Sequence, residues 1–186
     1  MENQNKFKIF KKEIKLDTYI LISKIKDYDL IDQLVKNVKE GIKISTVSRK
    51  TNVKGAHTEF NYLNSNPIFF KFLKLIHPYI QEIYSENFTI KEVWGNIFKN
   101  DNDYADMHNH DNGAFCGILY CTDAPGPGTY FKEYDLTISE EKGKFVLFHP
   151  KLFHEVKPYN YKKERITIAW NFGKVKNWEK YNFINK

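Results

Sequence analysis

The 186-residue chain has no long apolar run, which excludes a helical membrane anchor. No segment approaches the roughly 20 apolar residues that a helix needs to cross a bilayer. The N-terminal stretch MENQNKFKIFKKEIKL has neither a contiguous apolar segment nor the small-residue cleavage site of a secretory signal. We therefore expect a cytoplasmic protein with no membrane partner.

Cysteine is scarce, since Cys116 and Cys121 are the whole complement. The two residues lie on one predicted strand, so their side chains point to opposite faces and cannot easily form a disulfide. A disulfide-stapled scaffold is thereby excluded, and we expect both thiols to be free and buried. The sequence also lacks the elbow motif of a serine nucleophile.

Arginine is rare although the chain is basic. Among 29 basic residues only Arg49 and Arg165 are arginines, and the formal net charge is +6. The lysines are scattered among acids without a recognised nucleic-acid motif, which is typical of a solvated surface, so we expect no nucleic-acid partner. An arginine in such a chain indicates a specific task, because its guanidinium group can grip a carboxylate with two parallel hydrogen bonds.

The N-terminal part predicts strands followed by a helix. Residues 7–25 alternate loosely between apolar residues and lysine, as half-buried strands do. Residues 27–40 then carry apolar side chains at helical spacing, and Gly41 predicts the end of this helix.

A second helix is predicted to begin at Pro67, after Asn66 as its capping residue. Pro78 should kink or end it, with a further turn or two up to Tyr84. The two helices make residues 27–84 a predicted helical support for a core that lies further along the chain.

Five short apolar runs dominate residues 88–173. They are FTIKEVWGNIF, GAFCGILYC, GTYFKEYDL, GKFVLFHP and ERITIAWNF, and Gly, Pro, Asn or Asp separates them. Such a succession of short strands is typical of a sandwich, jelly roll or barrel. Because there is no internal repeat or low-complexity linker, we expect a single domain over residues 1–186, mainly β with flanking helices.

Two histidines one residue apart, in the stretch MHNHDNGAFCGILYC, are the first candidates for a functional site. His108 and His110 would share one face if a strand already runs there, because side chains alternate along a strand. Two imidazoles make half of a typical metal site, and the third ligand must come from elsewhere. The remaining histidines are His57, His77, His149 and His154. His149 precedes a proline and suits a structural role, and His77 suits the end of a helix, whereas a pocket role for His57 stays open.

Further residue types recur in a fixed order around these histidines. The positions are Trp94, Asn96, His108, His110, Gly117, Tyr120, Gly143, Phe148, His154, Arg165 and Thr167. This order resembles that of the iron(II)- and 2-oxoglutarate-dependent oxygenases, in particular a largely uncharacterised bacterial and phage branch. The likeness covers residues 45–172 in outline and is strongest from residue 94. It implies a double-stranded β-helix, or jelly roll, with iron near one open end, in the cytoplasm of a bacterium or of a phage-infected host.

The resemblance also implies a set of metal ligands. His108 would be the first ligand and His154 the distal one, and the usual triad adds a carboxylate. His110 occupies the carboxylate position, which is a departure from the common pattern, and we take it as the third ligand. Asp111 is the alternative to His110, although strand geometry directs it to the other face. Asp106 or a water molecule is a further alternative.

Arg165 has a physical reason to bind the cosubstrate. 2-Oxoglutarate is a dianion whose distal carboxylate needs a charge-assisted clamp. Arg165 begins a predicted strand and Thr167 lies on the same face, so a guanidinium and a hydroxyl can hold that carboxylate together. The resemblance adds the hydroxyl of Tyr120. Asn171 and Asn96 are expected to face the same pocket and to orient the cosubstrate or the substrate.

We therefore expect an iron(II)- and 2-oxoglutarate-dependent dioxygenase that uses O2 to hydroxylate a peptidyl residue or a small molecule and releases succinate and CO2. One alternative is a cupin-like three-histidine dioxygenase that does not use 2-oxoglutarate. Another is a basic β-barrel that binds a partner without catalysis. A fold alone does not decide among them.

Overall fold

The computed structural model describes residues 8–10, 18–46, 51–110, 113–158 and 163–175. Within these residues there are two α-helices, α1 (Tyr28–Ile44) and α2 (Pro67–Ile83). Neither of these described helices is long and apolar enough to cross a membrane. The described strands, in chain order, are β1 (Lys8–Phe10), β2 (Ile20–Lys24), β3 (Ala56–His57), β4 (Phe88–Phe98), β5 (Ala105–His108), β6 (Phe115–Tyr120), β7 (Thr129–Phe131), β8 (Leu136–Ile138), β9 (Lys144–Phe148), β10 (His154–Val156) and β11 (Arg165–Lys174).

The strands form two antiparallel sheets. The larger sheet has the order β1-β2-β9-β6-β11-β4-β3, and the smaller sheet has the order β5-β10-β7-β8. Side chains from both sheets share one buried cluster, in which Phe131 of β7 lies with Ile118 of β6 and Phe148 of β9. Two antiparallel sheets joined in this non-sequential order make a double-stranded β-helix, so the predicted jelly roll with flanking helices is confirmed.

Polar side chains cap both helices at their first turn. The Asp27 carboxylate accepts from the Leu30 amide at 3.0 Å and caps α1. The Asn66 side chain accepts from two amide groups of α2, and Pro67 occupies the first helical position, as predicted. Such caps satisfy amide groups that would otherwise have no partner in the first turn.

The predicted end of α1 at Gly41 is wrong, because the helix continues to Ile44. Gly41 is buried, and a Cβ atom at this position would collide with the aromatic ring of Tyr62. The glycine therefore permits close packing of α1 against the following segment rather than ending the helix.

Pro78 does not end α2, because the helix passes through this residue and ends at Ile83, next to the predicted limit at Tyr84. Pro78 lies on the exposed face, while Ile76 and Ile80 on either side are buried in the core. Packing of that apolar face outweighs the hydrogen bond that proline cannot make. His77 accordingly lies inside the helix and not at its end.

The run GTYFKEYDL is a hairpin and not the single strand that was predicted. β7 ends at Phe131, a short 3-10 turn follows, and Asp135 adopts a left-handed conformation with φ 46° before β8 begins. Aspartate tolerates this conformation better than most residues. The other four predicted runs correspond to β4, β6, β9 and β11, the last of which extends two residues beyond its run to Lys174. Within residues 7–25, β1 and β2 are described, whereas residues 11–17 lie outside the described part.

The larger sheet separates two apolar layers. On one side, α1 and α2 cover it, and Trp170 packs against Phe69 and Phe72 of α2 with ring centroids 5.8 and 5.6 Å away. The other side faces the smaller sheet and carries the polar pocket described below.

Cys121 belongs to the helix side and Cys116 to the side between the sheets, so the prediction of two free, buried thiols is confirmed.

Candidate active site

Three histidines meet at one end of the space between the sheets. His108 ends β5 and His154 begins β10, and the two residues are directly paired across the neighbouring strands. Their ring centroids are 4.3 Å apart, and the ring of His110 lies 5.0 Å from His108 and 5.2 Å from His154. One nitrogen from each ring falls within 4.8 Å of the other two. Among the described residues this is the group that can hold a metal ion.

His110 joins this group from outside the strand on which it was expected. β5 ends at His108, and the amide of His110 instead donates to the carbonyl of Pro150 at 2.8 Å. Asp111, the alternative ligand, lies outside the described residues. The carboxylate of Asp106 is not in the group and lies 3.8 Å from the Lys54 ammonium.

His108 and His154 are oriented by the same local contact. The Nδ1 atom of His108 lies 2.6 Å from the carbonyl oxygen of Asp106, and that of His154 lies 3.1 Å from the carbonyl oxygen of Leu152. A carbonyl only accepts, so each Nδ1 carries the ring proton. The lone pair of each ring is then on Nε2, which is the form that ligates a metal.

His110 has a different partner. Its Nδ1 lies 3.3 Å from the Asn171 amide nitrogen, which also donates to the Glu92 carboxylate at 2.9 Å. With Asn171 as donor, Nδ1 of His110 is the acceptor and the ring proton is on Nε2. Glu92 therefore holds the Asn171 amide, and Asn171 in turn holds the His110 ring at Nδ1. His110 must exchange this contact to offer Nε2 to a metal, which makes it the least pre-oriented of the three.

Burial keeps the three imidazoles neutral. It lowers the pKa of His154 well below its usual value, and neighbouring His108 and His110 lower it further. Burial also lowers the pKa of His110 to about 4, again with a contribution from His108, and lowers the pKa of His108. Neutral imidazole is the metal-binding form, so no proton has to be removed at neutral pH.

Aromatic rings enclose the distal histidine. Phe131 stacks on His154 with ring centroids 5.7 Å apart, and Phe148 meets it edge-on at 4.8 Å. Phe148 was one of the motif positions, whereas the role of Phe131 was not predicted, because it follows a glycine-rich turn with no distinguishing pattern. The two rings fix the imidazole plane and keep water from its apolar edge.

Arg165 lies in the same pocket as the histidines and is almost fully buried. Its Nε donates to the carboxylate of Glu140, and its Nη2 lies 3.4 Å from the Thr129 hydroxyl. The guanidinium carbon is 4.7 Å from the centroid of Phe98. Glu140 and Thr129 were not predicted. Glu140 sits among other charged residues in a loop, and nothing in its neighbourhood marks it as buried.

Thr167 and Asn96 extend the polar wall beside Arg165. The Asn96 amide donates to the Thr167 hydroxyl at 3.3 Å, and both side chains line the pocket. Tyr120 lies behind this wall, where it is fully buried and donates to the Thr129 hydroxyl at 2.8 Å. Burial raises the pKa of Tyr120, so the phenol stays protonated. Tyr120 is therefore linked to Arg165 through the Thr129 hydroxyl, which lies within hydrogen-bond distance of both side chains.

Several polar atoms of the pocket wall are buried without a partner. Within the described residues, Trp94 Nε1, Asn96 Oδ1 and Asn171 Oδ1 make no hydrogen bond. A buried polar atom without a partner is unfavourable. These atoms therefore indicate a wall that is complementary to a bound polar molecule.

The remaining histidines stand apart from this pocket. Both ring nitrogens of His57 have partners, namely the Thr51 hydroxyl at 3.2 Å and the Thr58 carbonyl at 2.8 Å. His57 therefore supports the backbone beside Asn96, with which it is paired across β3 and β4. His149 packs edge-on against Tyr19 with ring centroids 5.7 Å apart.

Solved oxygenase structures share this fold. One is the viral collagen prolyl hydroxylase of Paramecium bursaria Chlorella virus-1 in complex with 2-oxoglutarate, at 16% identity and TM-score 0.61 over 83% of this chain and 96% of that chain. Another is HygX from Streptomyces hygroscopicus with nickel and 2-oxoglutarate bound, at 10% identity and TM-score 0.61 over 84% and 83%. A third is a Pseudomonas putida prolyl-4-hydroxylase, at 11% identity and TM-score 0.61 over 92% and 95%.

Comparison by sequence finds no relative. No family model and no curated protein matches the chain. At identities of 10–16% the structural likeness shows the fold alone.

Proposed function

We propose that this protein is an iron(II)- and 2-oxoglutarate-dependent dioxygenase. The observation that carries the proposal is that three neutral imidazoles and one buried arginine line a single pocket of a double-stranded β-helix. The overall reaction consumes O2 and 2-oxoglutarate and converts a C–H group of the substrate to C–OH. Succinate and CO2 are the other products. The substrate is a peptidyl residue or a small molecule.

The donor set fits a divalent first-row metal. Imidazole nitrogens suit iron, and His108 and His154 already present lone pairs at Nε2. These two side chains would hold the ion together with His110. When bound, iron supplies activation of O2 and oxidation of an unactivated C–H bond. Phe131 and Phe148 keep the His154 ring fixed and dry.

The other end of the pocket fits the distal carboxylate of 2-oxoglutarate. Arg165 offers the N–H groups that Glu140 and Thr129 do not engage, and Thr167 offers a hydroxyl on the same face. A charge-assisted, two-pronged contact of this kind is the usual protein partner of a carboxylate. Asn96 and Asn171 would orient the cosubstrate or the substrate through their unpartnered oxygens.

The HygX and viral collagen prolyl hydroxylase structures support the proposal. The former contains nickel and 2-oxoglutarate, and the latter contains 2-oxoglutarate. Two of the three neighbours are prolyl hydroxylases, which is compatible with a peptidyl substrate for this chain.

One observation favours the cupin-like alternative. Among the described residues, no carboxylate belongs to the group that can hold a metal. A neutral three-histidine set is the arrangement that a dioxygenase without 2-oxoglutarate would use. Both functions need iron at the histidines. Only the 2-oxoglutarate-dependent function also needs Arg165 to bind a carboxylate.

Anaerobic titration separates these functions. Purified protein is first titrated with ferrous ion and then with 2-oxoglutarate, and the visible charge-transfer band is followed. We expect one iron per chain, a band that saturates with 2-oxoglutarate, and succinate once O2 is admitted. Iron binding without the band or succinate would support the cupin-like alternative. Absence of iron binding, with salt-dependent binding of nucleic acid, would support a non-catalytic module.

A further inference from the structure

Glu140 and Arg165 form an ion pair inside the protein. The side chain of Glu140 is 1% exposed and that of Arg165 is 2% exposed. In the ion pairs made by Lys24, Lys39, Lys54, Lys142, Lys144 and Lys157, by contrast, both side chains are at least 16% exposed. Exposed pairs contribute little to folding, and they can be regarded as features of a solvated surface. The buried pair needs a separate explanation.

Stability does not explain the pair well. Two charges removed from water rarely stabilise a fold more than apolar side chains of the same size do. The Glu140 carboxylate also keeps one oxygen, Oε2, without a hydrogen-bond partner among the described residues. A carboxylate that served folding alone would be better placed where both oxygens are bonded.

The contacts of Arg165 explain the pair better. Glu140 accepts from Nε and Thr129 accepts from Nη2, so both partners lie along one edge of the planar guanidinium. Phe98 packs against its face. The group is thus held on one edge and one face, and its remaining N–H groups are available to the pocket that Arg165 lines.

We propose that Glu140 is a positioning residue that holds the Arg165 guanidinium by its Nε edge and thereby presents the Nη1–Nη2 edge to the distal carboxylate of 2-oxoglutarate. This inference rests on the proposed function. Without Glu140, the guanidinium can rotate about its last side-chain bonds, and part of the affinity is lost in ordering it again. Glu140 thus acts through Arg165 and not on the iron end of the pocket.

Two substitutions separate the hydrogen bond from the charge. Glu140→Leu keeps the approximate volume but removes the acceptor, so the guanidinium loses its restraint. Glu140→Gln keeps an acceptor for Nε and removes only the negative charge. Glu141→Gln is the matched control, because Glu141 is the next residue and pairs with Lys24 and Lys144 at the surface.

The 186-residue chain, loaded with manganese(II), is titrated by calorimetry with two α-keto acids. 2-Oxoglutarate has the distal carboxylate, and 2-oxopentanoate lacks it but chelates a metal in the same way. For Glu140→Leu we expect about tenfold or more weaker binding of 2-oxoglutarate, which corresponds to loss of one charge-assisted hydrogen bond. Binding of 2-oxopentanoate and of manganese should stay within about twofold of the wild type. Glu140→Gln and Glu141→Gln should bind 2-oxoglutarate at least as tightly as the wild type.

Other results overturn the inference. If Glu140→Leu binds 2-oxoglutarate as the wild type does, or more tightly, Glu140 does not position Arg165 for the carboxylate. Equal weakening toward both keto acids would also overturn it, because Glu140 would then support the whole pocket and not the carboxylate clamp. Selective weakening toward 2-oxoglutarate in Glu140→Gln would show that the charge of Glu140, and not its hydrogen bond to Nε, is responsible. If the wild type itself shows no preference for 2-oxoglutarate over 2-oxopentanoate, the proposed function fails at its cosubstrate. The comparison with the wild type therefore distinguishes the two failures.

Discussion

At the scale of single residues, the site depends on which ring nitrogen carries a proton. His108 and His154 each donate Nδ1–H to the carbonyl two residues earlier in the chain, and this leaves Nε2 free. The backbone itself thus sets the tautomer of these two rings, while two side chains set that of His110. We expect the three histidines to differ in their response to mutation.

His154→Ala should abolish stoichiometric binding of ferrous ion while the fold survives. The substitution removes a pre-oriented Nε2, and among the described residues only His108 and His110 remain in the group that can hold a metal. Iron content after anaerobic loading and desalting measures the effect, and circular dichroism checks the fold. His149→Ala is the control, because His149 contacts Tyr19 away from the site and should leave one iron per chain. Full iron affinity in His154→Ala would show that the ligand set is wrongly assigned.

His110→Asp should retain iron. A carboxylate at this position gives the commoner set of two histidines and one carboxylate, and it does not depend on the contact between Asn171 and the imidazole. Anaerobic titration with ferrous ion measures the affinity beside the wild type. Complete loss of iron would mean that the backbone at residue 110 cannot direct a carboxylate into the site.

Arg165→Lys should weaken binding of 2-oxoglutarate about ten- to a hundredfold, or roughly 1.5–3 kcal/mol, because lysine keeps the charge but loses the two-pronged geometry. Iron binding should be normal, since Arg165 lies at the other end of the pocket. The charge-transfer band under anaerobic conditions reports both affinities in one sample. An unchanged dissociation constant for 2-oxoglutarate would reduce Arg165 to a structural role.

At the scale of the elements, helix α1 approaches the larger sheet at a glycine. A Cβ atom on Gly95 of β4 would collide with the side chain of Val38, which is buried on α1. The sheet carries on its opposite side the residues that line the pocket, including Asn96 next to Gly95. A shift of α1 away from the sheet would therefore disturb the wall of the pocket.

Gly95→Ala should destabilise the protein by about 1–3 kcal/mol, as overpacked cores generally do. The free energy of unfolding in urea measures the effect. Val38→Ala in the same chain should recover part of the loss, because it removes the methyl groups that collide. Additive effects of the two substitutions would show that the contact between Val38 and Gly95 does not limit the packing.

At the scale of the whole molecule, the two thiols report on the intact core. Burial raises the pKa of Cys121 to about 12 and also raises the pKa of Cys116, so at pH 8 both are almost entirely protonated and unreactive. We expect no reaction of the folded protein with Ellman's reagent at pH 8, and two equivalents per chain once the protein is unfolded in about 8 M urea. Rapid reaction of one thiol in the folded protein would contradict this expectation and would show that the larger sheet opens locally around that cysteine.

The sequence predicted those features that depend on local spacing. Alternating apolar runs located β4, β6, β9 and β11, and the capping pattern at Asn66 located the start of α2. Features that depend on distant partners were missed or misjudged. Gly41 resembles a helix end because the Tyr62 ring that fills its space comes from another segment.

Dependence on distant partners also explains which residues of the candidate active site the sequence did not reveal. His108, His154 and Arg165 were proposed as site residues from residue type and order, and all three line the same pocket. Glu140 and Thr129 reach Arg165 only because the folded sheets bring three separate segments together. No spacing along the chain records such a contact.

The short edge strands of both sheets limit aggregation at high protein concentration. Within the described residues, the larger sheet ends in β1 and β3, of three and two residues, and the smaller sheet ends in β5 and β8, of four and three residues. A long edge strand would offer unpaired backbone groups to a second copy of the chain, whereas such short edge strands offer few. The long, apolar strands β6 and β11 are shielded in the interior of their sheet, so edge-to-edge aggregation has little backbone on which to start.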